Sequence, residues 1–197
     1  MPSDRHRPAP PTLRQGTTRA LLLATALALS MPVGAATERL DDGAWSAAIP
    51  DDPAEPCELT TGGFDHAAGE QDPLLLIGIE RSDPAAPLRV TVQAPTDLTP
   101  PELLEARATL GLNGPGGRTV PLFPTAIIDA ERARLVAFRP QLSGGEQAGL
   151  RALIDGLRQA ERAEVKLNGR ALEPAFALRG LDALWQRVAA RCGVGGG

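Results

Sequence analysis

Apolar and polar residues alternate with a period of two in several short segments, and this alternation constrains the fold more than any other feature of the chain. The clearest case is 88–93, where every second side chain is apolar and would share one face of a strand. A series of strands with one apolar face each predicts an antiparallel sheet that buries one of its two sides. The other strands predicted from apolar runs or alternation in this region are 74–79, 106–112, 119–123 and 133–138.

Two Asn-Gly pairs mark tight turns between predicted strands. The pair at 113–114 opens a glycine-rich loop after the strand 106–112, and the pair at 168–169 separates two short strands. Asparagine and glycine tolerate the positive φ that two-residue hairpin turns require, so both pairs predict hairpins. Pro121 has no N–H to donate, and we therefore expect it at a sheet edge or at a bulge.

Two segments carry apolar residues at helical spacing. The segment 144–158 follows Ser143 and contains Glu146, and these two residues have the spacing of a capping box; the segment 180–191 predicts a second helix. The order of strands, helix, hairpin and helix predicts an α+β domain, in which an antiparallel or β-sandwich-like sheet carries two packed helices. The predicted apolar stripes are Leu150, Leu153, Ile154 and Leu157 in the first helix and Leu181, Leu184, Trp185 and Val188 in the second.

Residues 1–36 have the parts of a secretory signal peptide. A region with four arginines precedes the apolar run 20–29, and the small residues at 33–35 favour cleavage after Ala35 or Ala36. A membrane anchor is the alternative, but the run is about half of the ~20 residues that a spanning helix needs. No cysteine follows the run directly, which argues against a lipoprotein anchor. We predict a periplasmic or secreted protein that does not insert into the membrane after signal cleavage.

The remaining chain is expected to form one domain between two flexible ends. Aspartate, glycine and proline residues predict a flexible leader over 37–56, although Trp45 could dock on the domain. The segment 57–192 is long enough for a single core. The glycine-rich segment 193–197 predicts a flexible tail.

The two cysteines of the chain, Cys57 and Cys192, stand at the two ends of the predicted domain. Two thiols in an oxidising compartment usually pair, so we predict a structural disulfide between them. A redox-active pair is the alternative, but the C-x-x-C spacing typical of such pairs is absent.

The charge and the side-chain inventory exclude several classes of function. The chain has a net charge of −4, and removal of 1–36 leaves 16 basic and 23 acidic residues, a net charge of −7. Lys166 is the sole lysine, tyrosine is absent and aromatic residues make up 3%. A net acidic domain of this kind lacks the electrostatic attraction that nucleic acids require, so we predict no nucleic-acid binding.

His66 is the one histidine that would remain after signal cleavage, and it lies beside acidic residues in a glycine-rich segment. Asp65, Glu70 and Asp72 could combine with it in a hydrolytic or metal site. However, the chain has no Gly-x-Ser-x-Gly motif, and a mobile loop holds a base poorly. We therefore predict no catalytic, cofactor-binding or metal-binding residue, and no cofactor.

Several short motifs occur in the order found in one family of bacterial exported proteins. They are Leu88-Arg-Val-Thr-Val92, the loop at Leu98, the turn at Leu112, Val120-Pro-Leu-Phe123, the leucine-rich helix at 150–157, Glu164-Val-Lys-Leu167 and the phrase at 176–184. With these motifs, the stretch 88–184 resembles the invasion-associated locus B family, which implies a signal peptide followed by a β-rich domain. Family members typically carry two cysteines between the Pro-Phe strand and the next helix, whereas this chain has none there and places Cys192 after the last helix.

These features predict an exported protein of the bacterial envelope that acts as a non-enzymatic protein-interaction module. Its partner would be another envelope or secreted protein, and the sequence predicts no particular oligomeric state. A periplasmic hydrolase with a site around His66 is one alternative. An accessory protein of a secretion system is another, because a terminal helix closed by a cysteine also resembles an accessory protein of type VI secretion.

Overall fold

Ten strands and three helices make up the part of the chain described by the computed structural model, which comprises residues 36–61, 72–83, 85, 87–114, 117–129 and 134–194. The predicted α+β fold with an antiparallel sheet is confirmed. Besides the two predicted helices, the described residues form one short helix that was not predicted. The strands are β1 Thr37–Asp42, β2 Trp45–Pro50, β3 Cys57–Thr61, β4 Leu74–Ile79, β5 Leu88–Pro95, β6 Ala108–Asn113, β7 Arg118–Asp129, β8 Arg134–Pro140, β9 Arg162–Leu167 and β10 Arg170–Ala177. The helices are α1 Pro100–Glu105, α2 Glu146–Gln159 and α3 Leu181–Arg191.

All ten strands belong to one sheet, in the order β1-β2-β3-β4-β5-β8-β7-β6-β9-β10, and every neighbouring pair is antiparallel. Both Asn-Gly hairpins are confirmed, since β6 pairs with β7 and β9 pairs with β10. At the second turn Asn168 has φ 52° and Gly169 has φ 81°, as a two-residue hairpin of this kind requires. The connection from β5 to β6 contains α1 and crosses two intervening strands.

The core lies between one face of the sheet and the helices α2 and α3. Burial alternates strictly along β5, where Leu88, Val90, Val92 and Ala94 are buried. Helix α2 packs against β5, and α3 packs against β1, β2 and α2. Both predicted helical stripes are buried in this core. The alternation in the sequence therefore predicts which face of the sheet is covered.

The sheet is strongly curved, because its opposite ends meet. The indole N–H of Trp45 in β2 donates to the carbonyl of Ala177 in β10 at 3.1 Å. The two strands are eight places apart in the sheet order, which would separate them by about 38 Å if the sheet were flat. Curvature of this degree closes the apolar face around the helices.

The expectation of a flexible leader over 37–56 is wrong. Residues 37–50 form β1 and β2, and Trp45 is 1% exposed. The alternation of Trp45, Ala47 and Ile49 gives β2 a buried face, which outweighs the turn signals around it. The segment after β2 is also held, because the guanidinium of Arg81 donates to the carbonyls of Pro50, Asp52 and Glu55.

The expectation of a flexible tail over 193–197 is wrong for its first two residues. Val194 is buried, and its N–H donates to the carbonyl of Ala189 at 3.1 Å. Apolar contact with the end of α3 fixes this residue although glycine flanks it. Residues 195–197 and the predicted signal segment up to residue 35 lie outside the described residues.

The predicted disulfide is confirmed. Cys57 begins β3 and Cys192 caps the C-terminal end of α3, and their Cα atoms are 6.4 Å apart. Both side chains are buried. The bond fixes the last helix to the sheet through a covalent link between residues far apart in the chain.

The predicted capping box at Ser143 and Glu146 is wrong. Helix α2 begins at Glu146, and its N-cap is Gly145, which makes no side-chain capping bond. Gly144 and Gly145 have φ of 89° and 98°, so the backbone turns between Ser143 and the helix instead of entering it from that residue. Gln147 ties the start of the helix to the sheet, because its side-chain amide exchanges two hydrogen bonds with the backbone of Leu88.

Pro121 lies in an interior strand, so the expectation of an edge or a bulge is wrong for this residue. The register shift in β7 falls between Pro124 and Ala126. The carbonyl of Pro121 accepts from the N–H of Gln141 at 2.8 Å, and the pairing of β7 with β8 begins one residue later, at Leu122. In an antiparallel strand, the nitrogen and carbonyl of one residue face the same side. The proline nitrogen therefore faces the end of β8, where the ladder loses no donor.

We predict that Leu153→Ala lowers the free energy of unfolding by about 2–5 kcal/mol, because Leu153 is fully buried in the core and truncation leaves a cavity. Leu104→Ala is the matched control, since Leu104 is 76% exposed, and its effect should stay within ~0.5 kcal/mol. Denaturant unfolding followed by circular dichroism measures both changes. Equal effects of the two substitutions would contradict the placement of α2 in the core.

A double substitution of Cys57 and Cys192 by alanine should lower the free energy of unfolding by about 2–5 kcal/mol, because the unfolded chain regains the freedom that a long closed loop removes. The measurement compares the variant with the wild-type protein, each with and without a reducing agent. Reduction should destabilise the wild type and leave the variant unchanged. A wild type that reduction does not affect would show that the bond contributes no stability.

Candidate functional site

The residues considered for a hydrolytic or metal site fall mostly outside the described part of the chain. His66, Asp65 and Glu70 lie in the segment 62–71, which the structure does not describe. Asp72 is described and is exposed. Among the described residues, no group of three or more histidine, cysteine, aspartate or glutamate side chains could hold a metal ion.

The described surface contains open clefts with charged rims. One cleft of about 720 Å³ lies between the end of β5 and the β9–β10 hairpin, with Leu98, Leu167 and Leu172 among its lining residues. Arg170 and Glu173 carry opposite charges at its rim. A cleft of about 380 Å³ lies between α2 and α3, which Arg158 and Asp182 bridge through an ion pair at 2.7 Å. Neither lining contains a serine, a cysteine or a histidine, the residues of the usual pairs of nucleophile and base.

A different region stands out by its exposed apolar side chains. Within the described residues, the large hydrophobic side chains that are exposed are Leu104, Phe123, Ile127 and Ile128. Three of them belong to β7 and lie between positions 123 and 128. The fourth lies on α1, which contacts β7. We call these four residues the β7 surface. Scattered exposed hydrophobics are ordinary in proteins, but their concentration on one strand and its neighbouring helix is a mark of a binding surface.

The β7 surface is exposed because β7 is longer than one of its neighbours. β6 pairs with β7 only over 118–122, whereas β8 pairs with β7 from Leu122 to Asp129. Before β6, the chain forms α1, which ends at Glu105. The second half of β7 therefore extends beyond β6. Among the described residues, this half has a strand partner on one side only, namely β8.

The strand register assigns the side chains of the β7 surface to faces of the sheet. Phe123 pairs with Arg139 and Ile128 pairs with Leu135, and these two residues of β8 lie on the face opposite the buried Phe138. Phe123 and Ile128 therefore share the outer face, at positions about 13 Å apart along the strand. In a regular strand, residues five positions apart would lie on opposite faces. Here residues 123 and 128 share a face because the bulge between Pro124 and Ala126 inserts one residue.

Two arginines flank Phe123 across the strands. Arg139 is its registered partner in β8. Arg107 directly precedes β6, whose first residue Ala108 pairs with Leu122, and continuation of this register by one residue would place Arg107 beside Phe123 on the other side. Phe123 is 59% exposed, and both arginines are exposed and form no ion pair with any described residue. We call Arg107, Phe123 and Arg139 the Phe123 row.

The alternation in the sequence predicts a strand that ends at Phe123, whereas β7 continues to Asp129, so the sequence did not predict this surface. The signal was nevertheless present, since Val120 and Leu122 are buried and a period of two then places Phe123 on the opposite face.

Comparisons of the chain with family models, with curated proteins and with solved structures gave no match. The resemblance to the invasion-associated locus B family therefore stays a prediction. Within the described part of the chain, no helix has the length and hydrophobicity needed to cross a membrane.

Helix α1, which carries Leu104, begins with a capping box that the sequence analysis overlooked. The backbone N–H and the hydroxyl of Thr99 donate to the Glu102 carboxylate at 2.7 and 2.6 Å. These two bonds stabilise the ionised form and lower the pKa of the Glu102 carboxyl below its ordinary value. The cap thus holds the first turn of the helix next to β7.

We predict that Thr99→Ala raises the pKa of the Glu102 carboxyl toward 4.5, because the substitution removes the hydroxyl donor that lowers the pKa most. The depressed pKa stabilises the fold above the unfolded-state pKa, and this contribution is lost as the pH falls through the folded-state pKa. An NMR titration of the Glu102 side-chain carbon measures the change, with Thr119→Ala as a control at another exposed threonine. An identical Glu102 titration in wild type and Thr99→Ala would contradict the capping box.

Proposed function

We propose that this chain is a non-enzymatic, exported protein-interaction module that binds its partner through the β7 surface. The observation that carries the proposal is that Phe123 and Ile128, two of the four exposed large hydrophobics of the described residues, share the outer face of β7. Transfer of one such side chain out of water contributes about 1.5–3 kcal/mol when burial is complete. A partner that covers Phe123 and Ile128 would therefore gain a substantial part of its binding energy from two residues.

The β7 surface is not a fault in the packing of the core. In the first half of β7, Val120 and Leu122 are buried, as the pattern of a half-buried strand requires. The exposed residues begin where β6 no longer pairs with β7. A long apolar strand at this position invites association with other chains, and soluble proteins usually protect such strands with charge or proline. Pro124 has no backbone N–H to offer to a further strand on the side that β6 leaves unpaired, while the apolar side chains remain accessible.

Two features support export to the periplasm or beyond. β1 begins at Thr37, directly after the predicted cleavage sites, so removal of the signal peptide would leave the sheet complete. The disulfide between Cys57 and Cys192 is typical of proteins that mature in an oxidising compartment. Membership of the invasion-associated locus B family would agree with this location, and another envelope or secreted protein would be the partner. No described residue favours the hydrolase around His66 or a role in a secretion system.

Site-specific photocrosslinking tests the proposal in the organism that produces the protein. A photoreactive phenylalanine analogue at position 123 should crosslink the exported protein to a discrete partner, whereas the same analogue at position 187 should not. Arg187 is exposed on α3 and lies outside the β7 surface, so it provides a matched control.

Substitution of the two outer-face residues should abolish this association. Phe123→Ser combined with Ile128→Ser should reduce capture of the crosslinked partner by about 30-fold or more, because one central apolar contact alone can contribute about 2 kcal/mol. The stability of the variant should change by less than ~1 kcal/mol, since both side chains are exposed. Equal crosslinking at 123 and 187, or capture unchanged by the double substitution, would contradict the proposed function.

A further inference from the structure

We propose that the Phe123 row recognises an acidic segment of the partner protein, in which an apolar side chain lies between carboxylates. This inference rests on the proposed function and names the chemistry of the partner. The apolar side chain would cover the ring of Phe123, and the carboxylates would bind the guanidinium groups of Arg107 and Arg139. Arginine suits this role because its planar group can bind a carboxylate through two parallel hydrogen bonds.

The geometry of the row supports this arrangement. Arg139 stands on β8 and Arg107 directly precedes β6, so continuation of the β6–β7 register by one residue would place their Cα atoms about 10 Å apart, on either side of Phe123. Both side chains are long enough to reach toward a segment that lies over the ring. In an extended segment the side chains at i−2, i and i+2 share one face, so acidic residues two positions before and after an apolar residue stand about 13 Å apart and face the two arginines together with it.

Within the described residues, no acidic side chain neutralises the two arginines of the row. Arg107 and Arg139 form no ion pair with a described residue. Lys166, which shares this face through its pairing with Thr109, is in contact with Glu164 at 3.2 Å and is therefore compensated. Two uncompensated cations beside an exposed aromatic ring thus form a local positive site on a chain whose net charge is −4.

A protein segment fits this site better than an anionic membrane does. At physiological ionic strength, charges further apart than about 8 Å are largely screened, so a short acidic segment interacts mainly with the two arginines. A membrane surface extends beneath the whole protein and also faces its excess of acidic residues. Two arginines would contribute only about fivefold each to binding an anionic membrane.

Selection from a random twelve-residue peptide library against the purified exported protein tests the inference. We expect the selected peptides to be enriched in aspartate and glutamate within two positions of an aromatic or aliphatic residue. A synthetic copy of the most enriched peptide should lose at least tenfold in affinity for Arg107→Gln combined with Arg139→Gln. Arg187→Gln should leave the affinity unchanged, and raising the salt from 50 to 500 mM should weaken binding to the wild type about tenfold.

Different failures separate this inference from the proposed function. Peptides that depend on Phe123 but carry no excess of acidic residues would overturn the acidic partner and leave the interaction surface intact. The inference would be overturned if the library yielded no peptide, or if the arginine substitutions did not weaken binding. The crosslinking experiment at position 123 tests the proposed function independently of these results. Arginine-dependent binding to phosphatidylglycerol vesicles without peptide selection would assign the row to a membrane and also overturn it. Thermal unfolding of each variant shows that the fold is retained.

Discussion

The burial of one face of a ten-stranded sheet by two helices is the constraint on which the rest of the structure depends. Helix α2 has 14 residues and is about 21 Å long, whereas ten strands laid flat would span about 43 Å. Two helices of this size cannot cover a flat sheet of that width. The sheet therefore curves until Trp45 and Ala177 meet, and the helices lie within the curve. The Cys57–Cys192 bond holds α3 in this position.

Local patterns predict the elements of this fold well, because they depend on neighbouring residues. The alternation at 88–93, the Asn-Gly turn at 168–169 and the stripe around Leu153 each report a buried face or a backbone conformation that the segment itself determines. The disulfide was also predictable, since the chain offers one possible pair. These features together were sufficient to assign the α+β class.

The errors arise where a distant partner determines the outcome. The segment around Trp45 contains turn-forming residues. It is nevertheless a strand, because it pairs with β3, packs against α3 and donates a hydrogen bond to Ala177. The candidate site was missed for the same reason. Phe123 is exposed because β6 begins at Ala108, and the position of that strand beside β7 depends on long-range pairing. The arginines of the Phe123 row are 32 residues apart in sequence, and only the sheet register brings them to the same ring. No local sequence pattern predicts that two arginines so far apart in the chain lie beside the same aromatic ring.

The packing of α3 against the first two strands has a consequence for biosynthesis. β1 and β2 are made first, yet they pack against α3, and Cys57 must wait for Cys192, which lies 135 residues later. Long-range contacts of this kind form late in folding, after the intervening chain is available. A chain released from the ribosome or the export machinery before residue 192 therefore lacks both the helix that covers the first strands and the thiol that locks them. Truncated products that end before residue 192 are left with an exposed apolar face that proteases can recognise.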